Sequence, residues 1–504
     1  MNNSGKITVF LCLIISSMLL VSFTVNKIIT NLSVKEKAVI CAKSSISDIK
    51  AEYNTYIFEH YHILLFDKSY GGKGEAYLEQ KLHNNMCEKM GEKVSVEQTA
   101  ITDFRYIYEE DCKPFQEQIA DYLKYAAIEN GIDKIVDETK GEDGTLSEAV
   151  TDDIKAQGQT ENGAKENQEE GQTQSESQTQ SESQTQSENK TQGGMETEGN
   201  VNGTEETSQG DKKEEDPRKY TAKAGVVGIV TIIKPPDMEI SGASIDLSEC
   251  FSKRQGKAEP FAYKVNTRFD DSDDMLADMK EHESWADKLA ASGVGAVYAV
   301  NVFNCAVDTS VNETSVLKYE LEYLACGKKS DAENLESAVE RIVLIRFPIN
   351  YSYLISDTTK MARVTQIAIP ISIATLIPEP VVKTLIAGCW SYIEGMADAR
   401  VLLQGKKLPF AKSRESWITD IDRIGESVCE GTGSDSGMSY QDYLMILLSM
   451  NADKTYYRML DLIDINARSV DEDFDIANGA VALTAEFIIS YDDRTYYIKE
   501  SGGY

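Results

Sequence analysis

Basic residues are scarce in this chain, where 51 Lys and Arg face 83 Asp and Glu and the formal net charge is −32. So acidic a chain excludes a protein that binds nucleic acid, because contact with a phosphate backbone requires clustered basic side chains. The same charge disfavours broad adhesion to anionic lipid headgroups. We therefore expect no nucleic acid among the partners of this protein.

Motifs that carry catalysis or cofactor binding are also missing. The chain contains no H-E-x-x-H, G-x-S-x-G, G-x-x-x-x-G-K-[ST] or G-x-G-x-x-G pattern. It has four histidines, and His60 and His62 would diverge by about 200° on a helix, so they cannot share a metal ion there. The aspartate run at 270–274 lacks the glycine and distal glutamate of a calcium-binding loop. The sequence predicts no catalytic residue, no cofactor and no metal site.

None of the nine cysteines belongs to a C-x-x-C pair, which removes support for a zinc ribbon or a thioredoxin-like redox site. Eight of them lie beyond the apolar amino-terminal stretch and could form disulfides outside the cytoplasm. Scattered cysteines in a chain of this size are more often buried thiols, and we favour that interpretation.

Glycine is absent between Gly5 and Gly71, and no proline precedes Pro114. A long stretch without either helix breaker predicts one continuous helix over residues 1–70. Its part beyond the apolar start has a mostly apolar seam at alternating spacings of three and four residues. That seam indicates either a helix packed on its own domain, which we favour, or a coiled coil with a partner.

The segment from Ile7 to Val25 carries no charged residue. At 1.5 Å per residue it would span roughly 28 Å, close to the hydrocarbon thickness of a bilayer. We predict an uncleaved, single-pass membrane anchor that contacts lipid through residues 7–25. The positive-inside rule favours a cytoplasmic carboxy-terminal part, because one lysine precedes the segment and four closely follow it, at positions 27, 35, 37 and 43.

Composition divides the remainder of the chain into three parts. Residues 71–140 have helical spacing, and residues 141–218 form an acidic tract rich in Gln, Ser and Glu that we expect to be a disordered linker. Residues 219–504 are expected to form an α+β domain that packs with the amino-terminal helices. The predicted fold class is therefore α+β: a long transmembrane-plus-rod helix, a mostly helical soluble part and a small antiparallel sheet.

Strand signals are confined to the last part of the chain. The predicted strands cover residues 224–233, 296–307, 316–325, 481–491 and 494–500. Serine or aspartate caps predict helices that begin near Ser330, near Asp357 or Ser356, and near Ser439. Two apolar runs around residues 377–380 indicate either a soluble helical hairpin, which their scattered charges favour, or a membrane hairpin.

Several stretches resemble one known family. The start GKITVFL, the later EYNTYIFEHYHILLFDKSYGG, and then LEYLACGKKSDAENLESAVERIVLIRFPINYSYLISD, ADARVLLQGKKLPFAK and MSYQDYLMILLSM are similar to the domain of unknown function 5702 family of Gram-positive bacteria. That family is associated with Tad (Flp-type) pilus loci. The resemblance implies a cell-membrane protein whose bulk is extracytoplasmic, with protein partners in a pilus or surface assembly and no catalytic residues to carry over.

The start also resembles minor pilins of the TadE/TadG type, in which a glycine precedes an apolar helix. Such pilins have a glutamate five residues after the glycine, where this chain has Phe10. Three functions follow as hypotheses: a non-enzymatic, membrane-anchored structural or assembly protein, a membrane-tethered cell-envelope hydrolase without a recognisable motif, or a cytoplasmic-facing adaptor or sensor. We favour the first.

Overall fold

The computed structural model describes residues 3–129, 216–255, 284–450 and 452–504. Its helices are α1 (Asn3–Lys50), α2 (Thr55–Tyr61), α3 (Glu75–Met90), α4 (Glu109–Glu129), α5 (Pro217–Val227), α6 (Ile229–Ile233), α7 (Phe251–Arg254), α8 (Ser284–Val302), α9 (Glu320–Cys326), α10 (Asp331–Ser356), α11 (Thr358–Thr375), α12 (Glu379–Leu403), α13 (Ile424–Ser427), α14 (Tyr440–Ser449) and α15 (Ala452–Arg468). Its strands are β1 (Phe66–Asp67), β2 (Ser95–Tyr106), β3 (Gly479–Tyr491) and β4 (Arg494–Gly503). The predicted α+β class is confirmed. Most of the predicted linker, up to residue 215, lies outside the described residues.

The first helix is shorter than predicted. It ends at Lys50, not near residue 70, because Asn54 starts a new helix whose Ile57 backbone N–H donates to the Asn54 side chain. Asparagine competes for backbone hydrogen bonds in this way and favours helix starts over helix interiors. The second helix ends at His62, which takes a left-handed conformation, and residues 66–67 then pair with β3.

The sheet is built around β3, which pairs antiparallel with β1, β2 and β4. The strands predicted over 481–491 and 494–500 correspond to β3 and β4. Along β3, buried residues alternate with less buried ones, as a strand with one buried face requires. Residues 71–140, predicted to be helical, contain the long strand β2. Three register shifts interrupt the pairing of β2 with β3, so its buried residues do not alternate regularly and its sequence resembles no strand.

Three other predicted strands are wrong. Residues 224–233 form α5 and α6, residues 296–307 begin inside α8, and residues 316–325 run into α9. Short apolar runs do not separate a strand from a helix that is buried on several sides. In α9 the alternation itself was misleading, because the whole helix is buried, glutamates included.

The predicted helix starts are confirmed at Ser330, Asp357 and Ser439, whose side chains accept backbone N–H groups of the following turn. Buried apolar residues form two clusters. One joins the sheet to α1 and α3, and it includes Ala38, Ala42 and Ile46 of α1. The later part of the apolar seam of α1, which includes Ala42 and Ile46, therefore faces the protein's own sheet, whereas Ile28 and Leu32 are exposed. The larger cluster lies among helices α4–α15, which we call the helical body, and it also includes Ile57 and Tyr61 of α2.

Candidate functional site

The apolar half of α1 is the first candidate for function. The helix includes both predicted ends of the membrane segment, Ile7 and Val25, and most apolar side chains from Val9 onward in that segment are exposed. Among the described residues, α1 alone is long and apolar enough to cross a membrane. So much apolar surface outside the folded core is what a lipid-embedded helix requires, and α1 is a candidate membrane anchor.

The second half of α1 runs alongside β4. Lys27 pairs with Asp492 at 2.8 Å, Lys43 pairs with Glu500 at 3.8 Å, and Lys50 donates to the Gly503 carbonyl at 2.6 Å. The 23 residues from 27 to 50 rise about 35 Å on a helix, and the 11 residues from 492 to 503 rise about 36 Å on a strand. The matching lengths keep helix and strand parallel, with the β3–β4 turn beside the point where α1 leaves its apolar segment.

Helix α3 holds α1 from a second side. Lys37 donates to the Met90 carbonyl at 2.9 Å, and Lys89 pairs with Asp48 at 2.6 Å. Because exposed ion pairs contribute little individually, the apolar contacts of the cluster between helix and sheet supply most of the stability of this joint. The domain thus joins its anchor along a length of α1 and not through a flexible link.

A buried charged cluster lies between α10 and α12. Arg346 and Asp398 pair at 2.9 Å, and Lys412 pairs with Asp398 at 2.6 Å and with Glu394 at 2.7 Å, all with fully buried side chains. Two cations and two anions balance, as burial in a low-dielectric interior requires. Gly395 permits the close approach of α10, because a Cβ there would lie 3.2 Å from the Val343 carbonyl oxygen.

This cluster ties distant segments together and is closed to substrates. The Glu394 carboxylate also accepts the backbone N–H groups of Ile418 and Thr419 at 2.7 and 2.8 Å. Arg346 donates to the carbonyl of Phe410 at 2.8 Å. Since none of the four charged side chains reaches the surface, the arrangement fixes the loop after α12 and offers no site for chemistry on a ligand.

Two further carboxylates are buried at the start of α9. Glu320 accepts the backbone N–H of Asn304 at 2.9 Å, and Glu322 accepts that of Ala306 at 2.9 Å and the Tyr440 hydroxyl at 2.9 Å. Burial raises the pKa of both Glu320 and Glu322 to about 7, against the hydrogen bonds that lower it. The pair holds the loop after α8 through its backbone N–H groups.

One cysteine and one histidine are in contact, which is a combination that thiol hydrolases use. The Cys87 sulfur lies 3.5 Å from His83 Nε2, and His83 Nδ1 lies 3.1 Å from the Thr99 hydroxyl. Burial raises the pKa of the Cys87 thiol, whereas a nucleophilic cysteine needs a lowered one. The two residues are also one turn apart on α3, a spacing that brings any such pair together.

The other residues considered from the sequence do not converge. His60 contacts the Tyr56 carbonyl oxygen and His62 stacks on Tyr122, so the two rings serve separate contacts. Within the described ranges, no group of three His, Cys, Asp or Glu is placed to hold a metal ion. The nine cysteines, all of them described, form no disulfide with one another, and five of them are buried, in line with the thiol interpretation. The aspartate run at 270–274 lies outside the described residues.

Sequence reasoning did not find the buried charges. In the sequence, the charges of Glu394 and Asp398 indicate a soluble helix, whereas both side chains are buried inside the helical body. Their position one turn apart within the apolar run of α12 was the available signal, because a charge inside such a run must find a partner when the helix is buried.

The fold is α+β, and helix α1 is its candidate membrane anchor. In the part of the chain that the structure describes, the buried polar clusters are closed and no side chains are arranged for catalysis. The chain belongs to a family of unknown function, DUF5702, whose model matches residues 207–491. The match covers the helical body from α5 onward and β3, and it does not include α1, β2 or β4. Neither the curated proteins nor the solved structures include a match to this chain.

Proposed function

We propose that this chain is a single-pass, extracytoplasmic structural or assembly protein of a Tad-type pilus or a related surface apparatus. The observation that carries the proposal is α1, which continues from an exposed apolar segment into a half that is fixed along the sheet. A helix of this kind positions a folded domain at a set height and orientation above a bilayer. Such positioning serves assembly, and the described residues show no feature that turns over a substrate.

The fold weakens the charge-based case for a cytoplasmic domain. Of the four lysines that follow the apolar segment, three have contacts within the fold. Lys27 pairs with the β3–β4 turn, Lys43 pairs with a glutamate of β4, and Lys37 donates to a backbone carbonyl. Contacts within the fold therefore account for three of the four lysines without reference to topology. The family match over the helical body, with the pilus association that the family resemblance implies, supports an extracytoplasmic position of the folded domain.

Exposed Cys429 gives a direct test of this topology. Intact cells producing the full chain are treated with a membrane-impermeant maleimide, and labelling of the wild type is compared with that of Cys429→Ser. A chain carrying Cys429→Ser and Asn2→Cys reports on the opposite end of the anchor. We expect Cys429 to be labelled in intact cells and Asn2→Cys only after lysis.

The reverse labelling pattern would overturn the extracytoplasmic placement and favour the adaptor or sensor hypothesis. Labelling of both positions in intact cells would mean that α1 does not span the membrane. The hydrolase hypothesis rests on the contact between Cys87 and His83 alone, and the raised pKa of that thiol counts against it.

A further inference from the structure

The segment that joins α8 to α9 has little regular structure of its own. Residues 303–319, which we call the α8–α9 loop, contain no helix or strand apart from an isolated bridge between Cys305 and Asp308. The middle of the loop is at the surface, where Thr309 and Val311 are exposed. Its first residues are buried, and two of their backbone N–H groups are bound by side chains of α9. The loop is therefore held at buried points and open to solvent between them.

The side chains that hold the start of the loop are Glu320 and Glu322. Glu320 accepts the backbone N–H of Asn304 and Glu322 accepts that of Ala306, both at 2.9 Å, and both glutamates are fully buried. The second oxygen of Glu322, Oε2, is buried without a hydrogen-bond partner among the described residues. All partners of the two carboxyl groups are neutral, and they are Asn304, Ser315 and Asn466 for Glu320, and Ala306 and Tyr440 for Glu322.

The charges around α9 do not compensate an ionised glutamate. Asp331 at the start of α10 acts on both carboxyl groups as a like charge. Arg341 and Arg458 bind the carbonyl groups at the other end of α9, and the Lys318 ammonium donates to carbonyl groups of the loop. The other titratable groups that face the pair or pack on α9 are Tyr61, Cys305, Tyr319, Cys326, Tyr440 and Asp461.

Burial therefore opposes the ionised form of both glutamates while the loop is closed. An uncompensated carboxylate in the interior is costly, whereas a protonated carboxyl group is not. The backbone hydrogen bonds favour the ionised form, but burial dominates and raises the pKa of Glu320 and Glu322 to about 7. Helices α10, α14 and α15 pack against α9, so the irregular loop is the part of this cover that can move aside and admit water.

We propose that the α8–α9 loop is a pH-sensitive latch. It is closed on α9 when Glu320 and Glu322 are protonated, and it is released into solvent when they ionise. In the released state the two carboxyl groups return to their ordinary pKa of 4.5, so the released fraction increases as the pH rises from about 4.5 to 7 and is constant above that. The difference between the two pKa values allows an increase of at most about 300-fold for each group. The latch does not depend on the proposed function or on the side of the membrane.

Hydrogen exchange of the full chain in mild detergent, measured by mass spectrometry, tests the latch. The exchange rates are divided by the intrinsic rate at each pH, which gives the protection of each segment. Between pH 5.5 and 7.5 we expect the protection of residues 303–308 to fall at least tenfold, whereas the buried residues 393–400 of α12 should keep theirs. Glu320→Gln or Glu322→Gln should reduce this change to about half on a logarithmic scale, and the double variant should remove it.

Glu79→Gln is the matched control for the loss of a carboxyl group. Glu79 of α3 also accepts a backbone N–H, that of Ile101 at 2.8 Å, but its side chain is only half-buried. This variant should leave the pH response of the loop unchanged. The comparison uses the change with pH, so a variant that loosens the loop at every pH still reports on the latch.

A protection of the loop that does not change with pH would overturn the proposal, and so would a pH response that survives the double variant. An equal fall in the protection of α12 would also overturn it, because the whole domain and not the loop would then be opening.

Discussion

The buried charged cluster allows burial to be tested against an exposed pair of the same chemistry. In Asp398→Asn, Arg346 and Lys412 lose the carboxylate charge that lies 2.9 and 2.6 Å from them. Removing one partner of a buried ion pair costs about 3–5 kcal/mol, because the remaining charge is left without compensation in the interior. The loss should lower the apparent melting temperature by roughly 6–10 °C, at about 2 °C per kcal/mol for a large chain.

Asp422→Asn is the matched control, because Asp422 also pairs with an arginine, Arg363, and the two side chains are 43% and 37% exposed. An exposed pair contributes about 0–1 kcal/mol, so the control should melt within 2 °C of the wild type. Both variants are measured as the full chain in detergent, by circular dichroism at 222 nm during heating. Combining Asp398→Asn with Lys412→Gln should recover part of the loss, since it restores the balance of charges.

Equal melting temperatures for Asp398→Asn and Asp422→Asn would refute this reasoning. That outcome would mean that water or a shift of α10 relieves the unpaired charge, and the cluster would not hold α10 and α12 together as described. A loss that the double variant leaves unchanged would indicate that shape, and not charge, dominates at this position.

Two other predictions concern pH and glycine. The raised pKa of about 7 for Glu320 and Glu322 means that the folded state keeps protons that the unfolded chain releases above pH 4.5. The contribution of the two carboxyl groups to the free energy of unfolding should therefore fall as the pH rises from about 4.5 to 7, by at most roughly 3 kcal/mol each. The melting temperature should fall accordingly between pH 5 and 8, and the fall should be smaller in Glu322→Gln. Gly327→Ala should lower the melting temperature, because the φ angle of Gly327 is +66° and the new Cβ would lie 2.7 Å from the Arg458 side chain. Gly388→Ala should raise the melting temperature by the equivalent of about 1 kcal/mol, because alanine favours a helix interior and the new Cβ meets no atom within 4 Å. Equal effects of the two alanines, or a pH response unchanged by Glu322→Gln, would contradict these expectations.

Local chemistry explains what the sequence could predict. Ser330, Asp357 and Ser439 mark helix starts because a capping side chain acts within one turn of itself. The anchor was predictable from the absence of charge between Ile7 and Val25. Strands β3 and β4 were predictable because they are rich in β-branched and aromatic residues.

Long-range partners explain what the sequence could not predict. Lys27 and Asp492 stand at opposite ends of the chain, and nothing near either residue indicates the other. The alternating pattern predicts that Glu320 of α9 faces solvent. The residue is buried instead, because Asn304 and Asn466, which come from distant segments, donate hydrogen bonds to its carboxylate. The burial of a polar residue depends on such partners, so a local pattern of polar and apolar residues predicts the wrong element there.

The parallel contact of α1 with β4 also sets an order of events during synthesis. The anchor helix is made first, whereas β4 follows it by more than 400 residues, as the bond from Lys50 to Gly503 shows. Until β3 and β4 emerge, the stripe of α1 that includes Ala38, Ala42 and Ile46 has no sheet to cover it. A contact between segments so far apart in the sequence forms slowly, and the apolar surface that it will cover is prone to aggregation until then. Folding of this domain therefore finishes at its anchor, and a chaperone that binds apolar helices has its longest opportunity at this stripe.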